Sequence, residues 1–148
     1  MEMKKQEIRL SGSGGQGVIL AAIILANAGV EQGLNAIQTQ SYGPEARGGA
    51  SKAEVILSND DINYPKITRA NILLSLTQKA YDKYNSTLEE NGILIIDESV
   101  KLSGDETFKV YSLPILRTAQ EKFETQLVAN IISLGAIYEL MGEDTIDK

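Results

Sequence analysis

Apolar positions along this chain follow two periods, short unbroken runs and longer stretches with helical spacing, which predict interleaved strands and helices. Ile8 and Leu10 alternate with charged neighbours and lead into Gly12, so residues 6–11 are expected to form a first strand. "GVILAAIILANA", residues 17–28, is apolar almost all round. Such a helix is buried on more than one face, against its own sheet with a second side left for a partner protein. Gly29 and Gly33 are expected to close it, and "LNAIQTQ" to form a second strand. "ASKAEVILS" predicts a third strand ended by "NDD", and "ANILLSL" a fully apolar fourth. A polar helix is expected over "TQKAYDKYNSTLEEN", capped by Gly92. "GILIIDE" and "FKVYSLP" predict two further strands, and residues 115–123 and 125–141 two closing helices.

Apolar strands interleaved with helices imply a sheet covered on both faces. The predicted fold is a three-layer α/β/α, Rossmann-like domain with a mostly parallel sheet. With no linker, repeat or low-complexity tract, residues 1–148 are expected to form a single domain.

Composition narrows the chemistry by what it lacks. The chain has no Cys and no His, which removes thiol nucleophiles, cysteinyl iron–sulfur ligation, imidazole bases and histidine metal sites. A net charge of −6 argues against nucleic acid or an anionic membrane as partner. The N-terminus lacks the apolar core of a secretory signal, and the longest apolar run, Val18 to Ala26, is about half a membrane span. The expectation is a cytoplasmic protein.

Two glycine-rich segments carry the candidate chemistry. Gly12, Gly14, Gly15 and Gly17, with Gln16 among them, lie between the first strand and the first helix. Gly12, Gly14 and Gly17 have the spacing of the dinucleotide fingerprint, in which the backbone approaches a phosphate at a helix start. That fingerprint also needs an acid at the end of the second strand, and "AIQTQ" has none. The P-loop alternative needs Lys and Ser/Thr after Gly17, where Val18 and Ile19 stand. "ILIIDE" has the look of a Walker B strand, but acids at the carboxyl end of a buried strand are expected simply to reach solvent. A third reading leaves the glycines to the packing of the first helix on the sheet.

The second segment, "SYGPEARGGAS", combines Tyr42, Gly43, Pro44, Glu45, Arg47, Gly48, Gly49 and Ser51. If the second strand runs parallel to the first, this loop leaves the sheet beside the first glycine turn, at the edge where α/β proteins bind ligands. A Glu45–Arg47 pair could equally be a solvated surface pair, worth ~0–1 kcal/mol. The loop's length and glycine content favour a contact surface.

"GSGGQG" at 12–17, "YGPEARGGAS" at 42–51, "AEVILSNDDINYP" at 53–65 and "ANIISLG" at 129–135 together resemble the gamma subunit of 2-oxoacid:ferredoxin oxidoreductases. The resemblance covers most of the chain, and "YGPEARGG" is closer to the 2-oxoglutarate or branched-chain type than to the pyruvate type. Indolepyruvate enzymes carry a related domain. A stand-alone nucleotide-binding protein is the alternative from another class.

The resemblance implies a non-redox subunit of an enzyme that oxidatively decarboxylates a 2-oxoacid with coenzyme A. The products are acyl-CoA, CO2 and reduced ferredoxin. Alpha and beta subunits, in some members with a delta chain, would hold thiamine diphosphate, Mg and the iron–sulfur cluster. This chain alone would bind none of them and supply no catalytic residue. Both glycine segments would face the partner subunits or the CoA approach. Family chains run some tens of residues past the "ANIISLG" helix, so this one is expected to be cut short or to lack its last helical segment.

Overall fold

The computed structural model describes residues 5–13, 17–40, 50–62, 67, 69–104, 109–123 and 129–146. Six strands form one sheet in the order β2-β3-β1-β4-β5-β6. They are β1 (Gln6–Gly12), β2 (Asn35–Gln40), β3 (Ser51–Ser58), β4 (Ala70–Ser75), β5 (Leu88–Asp97) and β6 (Lys109–Leu113). The helices are α1 (Val18–Glu31), α2 (Gln78–Tyr84), α3 (Ile115–Phe123) and α4 (Ala129–Ile146).

The sheet runs parallel from β1 through β4 and β5 to β6. β3 is antiparallel to both of its neighbours, β1 and β2. Five strands therefore share one direction, and a single reversed strand is inserted among them. β2 and β3 are successive strands and direct neighbours in the sheet, so their antiparallel pairing needs no crossover.

Two apolar layers flank the sheet. On one face Ile8, Leu10, Val55, Leu57, Ile72, Leu74 and Ile95 meet Val18, Ala21, Ala22 and Leu25 of α1, with Ile115 and Ala119 of α3 and Ile137 and Leu140 of α4. On the other, Ile56, Leu73, Leu94 and Ile96 meet Tyr81 and Tyr84 of α2. The three-layer arrangement follows from strands whose side chains alternate between two dry faces.

The charged residue in β1 is not on a wet face. Arg9 is 4% exposed and stands directly opposite Glu54 of β3, with Nε donating to Oε2 at 2.6 Å. Its other nitrogens donate to Thr87 Oγ1 and to the Ile67 carbonyl, and its guanidinium lies 5.8 Å from the Tyr84 ring centroid. Glu54 also lies 3.6 Å from the Lys52 ammonium. A buried ion pair holds only when its remaining donors and acceptors are satisfied, and here they are.

Three element boundaries differ from the sequence expectation. Gly29 does not end α1. It is a buried helical residue whose bare Cα lies against Leu57, and the helix runs on to Glu31. α4 continues past its predicted end at Met141 to Ile146; it is described from Ala129, and its expected first residues, within 124–128, lie outside the described residues.

The third difference is larger. The helix expected over residues 77–91 stops at Tyr84, followed by a 3-10 turn, Asn85–Thr87. Asn85 Nδ2 donates to the Asp82 carbonyl at 3.3 Å, and Thr87 Oγ1 donates to the Tyr84 carbonyl at 2.6 Å. Side chains thus take the carbonyls that a further helical turn would have used. Leu88 then enters the core, and "LEEN" becomes the start of β5. Gly92 is no cap. It sits in a register shift between β4 and β5, after Asn91 with φ 66°. A Cβ there would lie 2.8 Å from the Glu89 carbonyl oxygen and 2.9 Å from that of Asn71.

Two stability predictions follow from these contacts. Arg9→Met leaves Glu54 buried with only Lys52 nearby, so it should cost about 3 kcal/mol in urea unfolding. Arg9→Met combined with Glu54→Leu should recover at least half of that loss. Gly92→Ala forces two backbone carbonyls apart and should cost about 1–3 kcal/mol, a drop in Tm that calorimetry would read.

Candidate functional site

The candidate site lies at the edge where β1, β2, β4, β5 and β6 end. β1 and β2 are both antiparallel to β3, so they are parallel to each other and finish on the same side. Gly12, the last residue of β1, is paired with Ser51, the first of β3. The two glycine segments therefore meet the sheet at adjacent positions, and β1 and β2 stand about 10 Å apart across β3. Gly12, Gly17 and Ser51 are placed here. Gly14, Gly15, Gln16, Tyr42, Gly43, Pro44, Glu45, Arg47, Gly48 and Gly49 lie outside the described residues.

This edge also contains the switch point of the sheet. After β1 the chain crosses over one face through α1, toward β2; after β4 it crosses the other face through α2, toward β5. The crevice in such folds opens between the strands where the direction changes, here β1 and β4. At that point the Ser11 hydroxyl donates to the Leu74 carbonyl at 2.7 Å and lies 3.1 Å from the Ser75 hydroxyl. Ser11 has one proton and gives it to Leu74, so Ser75 is the donor between the two. Both hydroxyls are buried. They hold β1 to β4.

Gly17 makes the entry to α1. Its φ of 73° and ψ of 27° are left-handed, a conformation in which a side chain is strained. As a glycine, Gly17 has no side chain with which to cap α1, and no acid stands in the helix's first turn. The first N–H groups of the helix consequently lack intrahelical partners. Asn130, near the start of α4, lies over the bare Cα of Gly17; a Cβ there would be 2.9 Å from Asn130 Nδ2. The sequence reading missed Asn130 as a site residue, although it lies inside the "ANIISLG" stretch.

Neither standard nucleotide reading fits the geometry. Val18, at the position a P-loop gives to lysine, is buried in the core against the sheet. Gln40 stands at the end of β2, where the ribose-binding acid would be. Its Oε1 accepts a hydrogen bond from Gln38 Nε2 at 2.8 Å.

Asp97, at the end of β5, corrects another expectation. It does not reach solvent: it is 2% exposed. Oδ1 accepts from the Leu116 N–H at 2.8 Å in the first turn of α3, and Oδ2 accepts from the Ser99 N–H at 3.0 Å and hydroxyl at 2.6 Å. The carboxylate anchors a helix start and a turn, which is why an acid ends this strand. Glu98 is the exposed neighbour, paired with Arg117 at 2.9 Å.

An iron–sulfur cluster would need cysteines, which the chain lacks. A Mg-bound diphosphate needs free carboxylates, and Asp97 is committed to backbone and Ser99. Among the described residues no three acidic, His or Cys side chains are grouped so as to hold a metal ion. No helix among them is long and apolar enough to cross a membrane.

Residues 7–148 match the protein family described as pyruvate ferredoxin/flavodoxin oxidoreductase. The chain belongs to that family. The 2-oxoglutarate synthase subunit KorC of Methanocaldococcus jannaschii is 48% identical over 141 residues, which are 92% of this chain and 75% of that protein. The pyruvate synthase subunit PorC of Methanothermobacter thermautotrophicus is 28% identical over 145 residues, which are 96% of this chain and 79% of that protein.

 The gamma subunit of keto/oxoacid ferredoxin oxidoreductase from Geobacter sulfurreducens superposes with a TM-score of 0.83 at 44% identity, over 93% of this chain and 77% of that one. This likeness bears out the α/β/α reading, and the family match bears out the resemblance seen in the glycine segments.

Asp97→Ala would leave three donors of the α3 start and the Ser99 turn without their acceptor. It should cost about 1–3 kcal/mol of unfolding free energy. Asp97→Asn, which keeps an acceptor oxygen, should cost less; equal losses in denaturant titrations would show that the carboxylate does not act as a cap.

Proposed function

We propose that this chain is the gamma subunit of a 2-oxoglutarate:ferredoxin oxidoreductase, working in the cytoplasm within a complex of alpha and beta subunits. The complex decarboxylates 2-oxoglutarate oxidatively with CoA, giving the acyl-CoA, CO2 and reduced ferredoxin. Thiamine diphosphate, Mg and the iron–sulfur cluster belong to its other subunits. The observation that carries the choice of substrate is the 48% identity to a 2-oxoglutarate synthase subunit, against 28% to a pyruvate synthase subunit.

The role assigned to this chain is to cap the alpha–beta active site with its glycine-lined edge. Gly12 beside Ser51 supports that role, because the pairing roots both glycine segments at one place. In this reading Gly14, Gly15, Gln16 and Gly17 contact a partner loop or an anion. Tyr42, Gly43, Pro44, Glu45, Arg47, Gly48 and Gly49 face the partner subunit or the CoA approach. The outer side of α1 supports a protein partner as well: Leu20 is 53% exposed, and Ile23, Ile24 and Val30 are exposed beside it. A stripe of large apolar side chains facing water is the usual mark of an interface.

Purification of the tagged chain from its native source should recover two larger subunits, with thiamine diphosphate and iron–sulfur in the isolated complex. The complex should reduce ferredoxin with 2-oxoglutarate at least ten times faster than with pyruvate. Replacing Glu45 and Arg47 by Ala should weaken assembly or raise the KM for CoA severalfold. A chain that purifies alone, or a complex that prefers pyruvate, would overturn the proposal.

A further inference from the structure

We infer that two copies of this chain pair through the outer edge of β2 and the flank of α1, joining their sheets antiparallel about a two-fold axis at Ile37. This goes beyond the subunit role proposed above and does not depend on it.

β2 ends the sheet, and among the described residues no strand pairs with its outer side. Exposed edges are normally blunted by charges, proline or a bulge. "NAIQTQ" has no charge, no proline and no glycine, and it pairs with β3 residue for residue without a shift. The strand at the other end of the sheet, β6, opens on a lysine, Lys109. The layer above β2 is also unprotected. α1 packs over β3 and β2, and α4 packs between α1 and α3, so α1 is the last helix before the β2 edge. Leu20, Ile23, Ile24 and Val30 are exposed along it over almost three turns, with only Asn27 polar among them.

A bare strand and an apolar helix thus share one margin of the molecule, and a second copy of that margin covers both. About a two-fold axis normal to the sheet, β2 meets β2 antiparallel and both α1 helices fall on the same face of the joined sheet. Strands stand about 4.8 Å apart, so a helix seated between β3 and β2 is about that far from the seam. The two α1 axes are then about 10 Å apart, the ordinary spacing of packed helices. The helices run antiparallel, which brings Leu20 of each toward Val30 of the other.

The register follows from the same symmetry. Residues directly opposite each other share a sheet face, so the two-fold must set one residue against its own copy. Centred on Ile37, the pairing buries the one large apolar side chain of β2 against itself, with Asn35 facing Thr39 of the second copy and Ala36 facing Gln38. Centred on Gln38, it would press together two amides that already bond within their own strand, Gln38 Nε2 to Gln40 Oε1 at 2.8 Å. The acids agree with an antiparallel seam. Glu31 lies just before β2, and the Asp60 carbonyl accepts from Asn35 Nδ2 at 2.9 Å, so exposed Glu31, Asp60 and Asp61 gather at the start of the strand. Antiparallel pairing sends the acids of the two copies to opposite ends of the seam, the arrangement least opposed by a charge of −6 on each chain.

Sedimentation equilibrium of the full chain in buffered saline tests the association, and the lack of native cysteine makes crosslinking a test of the register. The wild-type chain should sediment at twice the chain mass and dissociate on dilution. Leu20→Glu with Ile24→Glu, both at exposed positions, should weaken the dimer at least tenfold and leave the far-UV circular dichroism of the chain unchanged. Facing residues of an antiparallel pair have Cα atoms about 4.5–5.5 Å apart, within the reach of a disulfide. Ile37→Cys should therefore link two chains under oxidised glutathione. Gln38→Cys, on the opposite face, should link at least ten times more slowly. A wild-type chain that stays monomeric at every concentration, a dimer indifferent to the two glutamates, or a crosslink at Ile37→Cys that is absent or no faster than at Gln38→Cys overturns the inference. Every result is read on this chain alone, so the pairing can fail while the proposed subunit role stands.

Discussion

The ion pair between Arg9 and Glu54 is the constraint on which the arrangement of this molecule turns. It joins the centre of β1 to the one reversed strand, and its partners tie in the end of α2 through Thr87 and the Ile67 carbonyl. In a strand pair, slipping by one residue would send every side chain of β3 to the opposite face. Here a slip would also strand two charges in a dry layer. The pairing that avoids this places Gly12 opposite Ser51, so a contact in the lower half of the sheet decides what meets at its functional edge.

That edge is built from backbone more than from reactive side chains. Ser11 and Ser75 close a circuit with the Leu74 carbonyl, Thr77 caps α2, and Asp97 holds the start of α3. Each of these four polar side chains has a structural partner. The edge also holds the left-handed Gly17 that opens α1, with Asn130 packed over its bare Cα. A domain of this kind can bind and position, and its family membership places it in an enzyme whose electron-transfer groups require residues this chain does not contain.

Much of the fold was legible in the residues because burial on both faces of a sheet demands unbroken apolar runs. β4, and β5 from Gly92 onward, were read that way, and α3 was read to the residue. The failures are where short side chains compete with the backbone. Nothing in the composition of "YNSTLEEN" announces that Asn85 and Thr87 will take the last carbonyls of α2, since the same residues are tolerated in a polar helix. Asp97 was misjudged for a related reason: the sequence shows an acid at the end of a strand, but not the helix start that folds back onto it.

The amino-acid sequence alone determined the layered α/β architecture, the absence of thiol and imidazole chemistry, and the resemblance to a gamma subunit. Those properties depend on residue type and on spacing along the chain. Only the tertiary structure decided that β3 runs against its neighbours, that Arg9 is buried, and that Asn130 lies over Gly17. Contacts of that kind join residues 45 to 113 positions apart, and they exist only once the sheet has brought distant segments together.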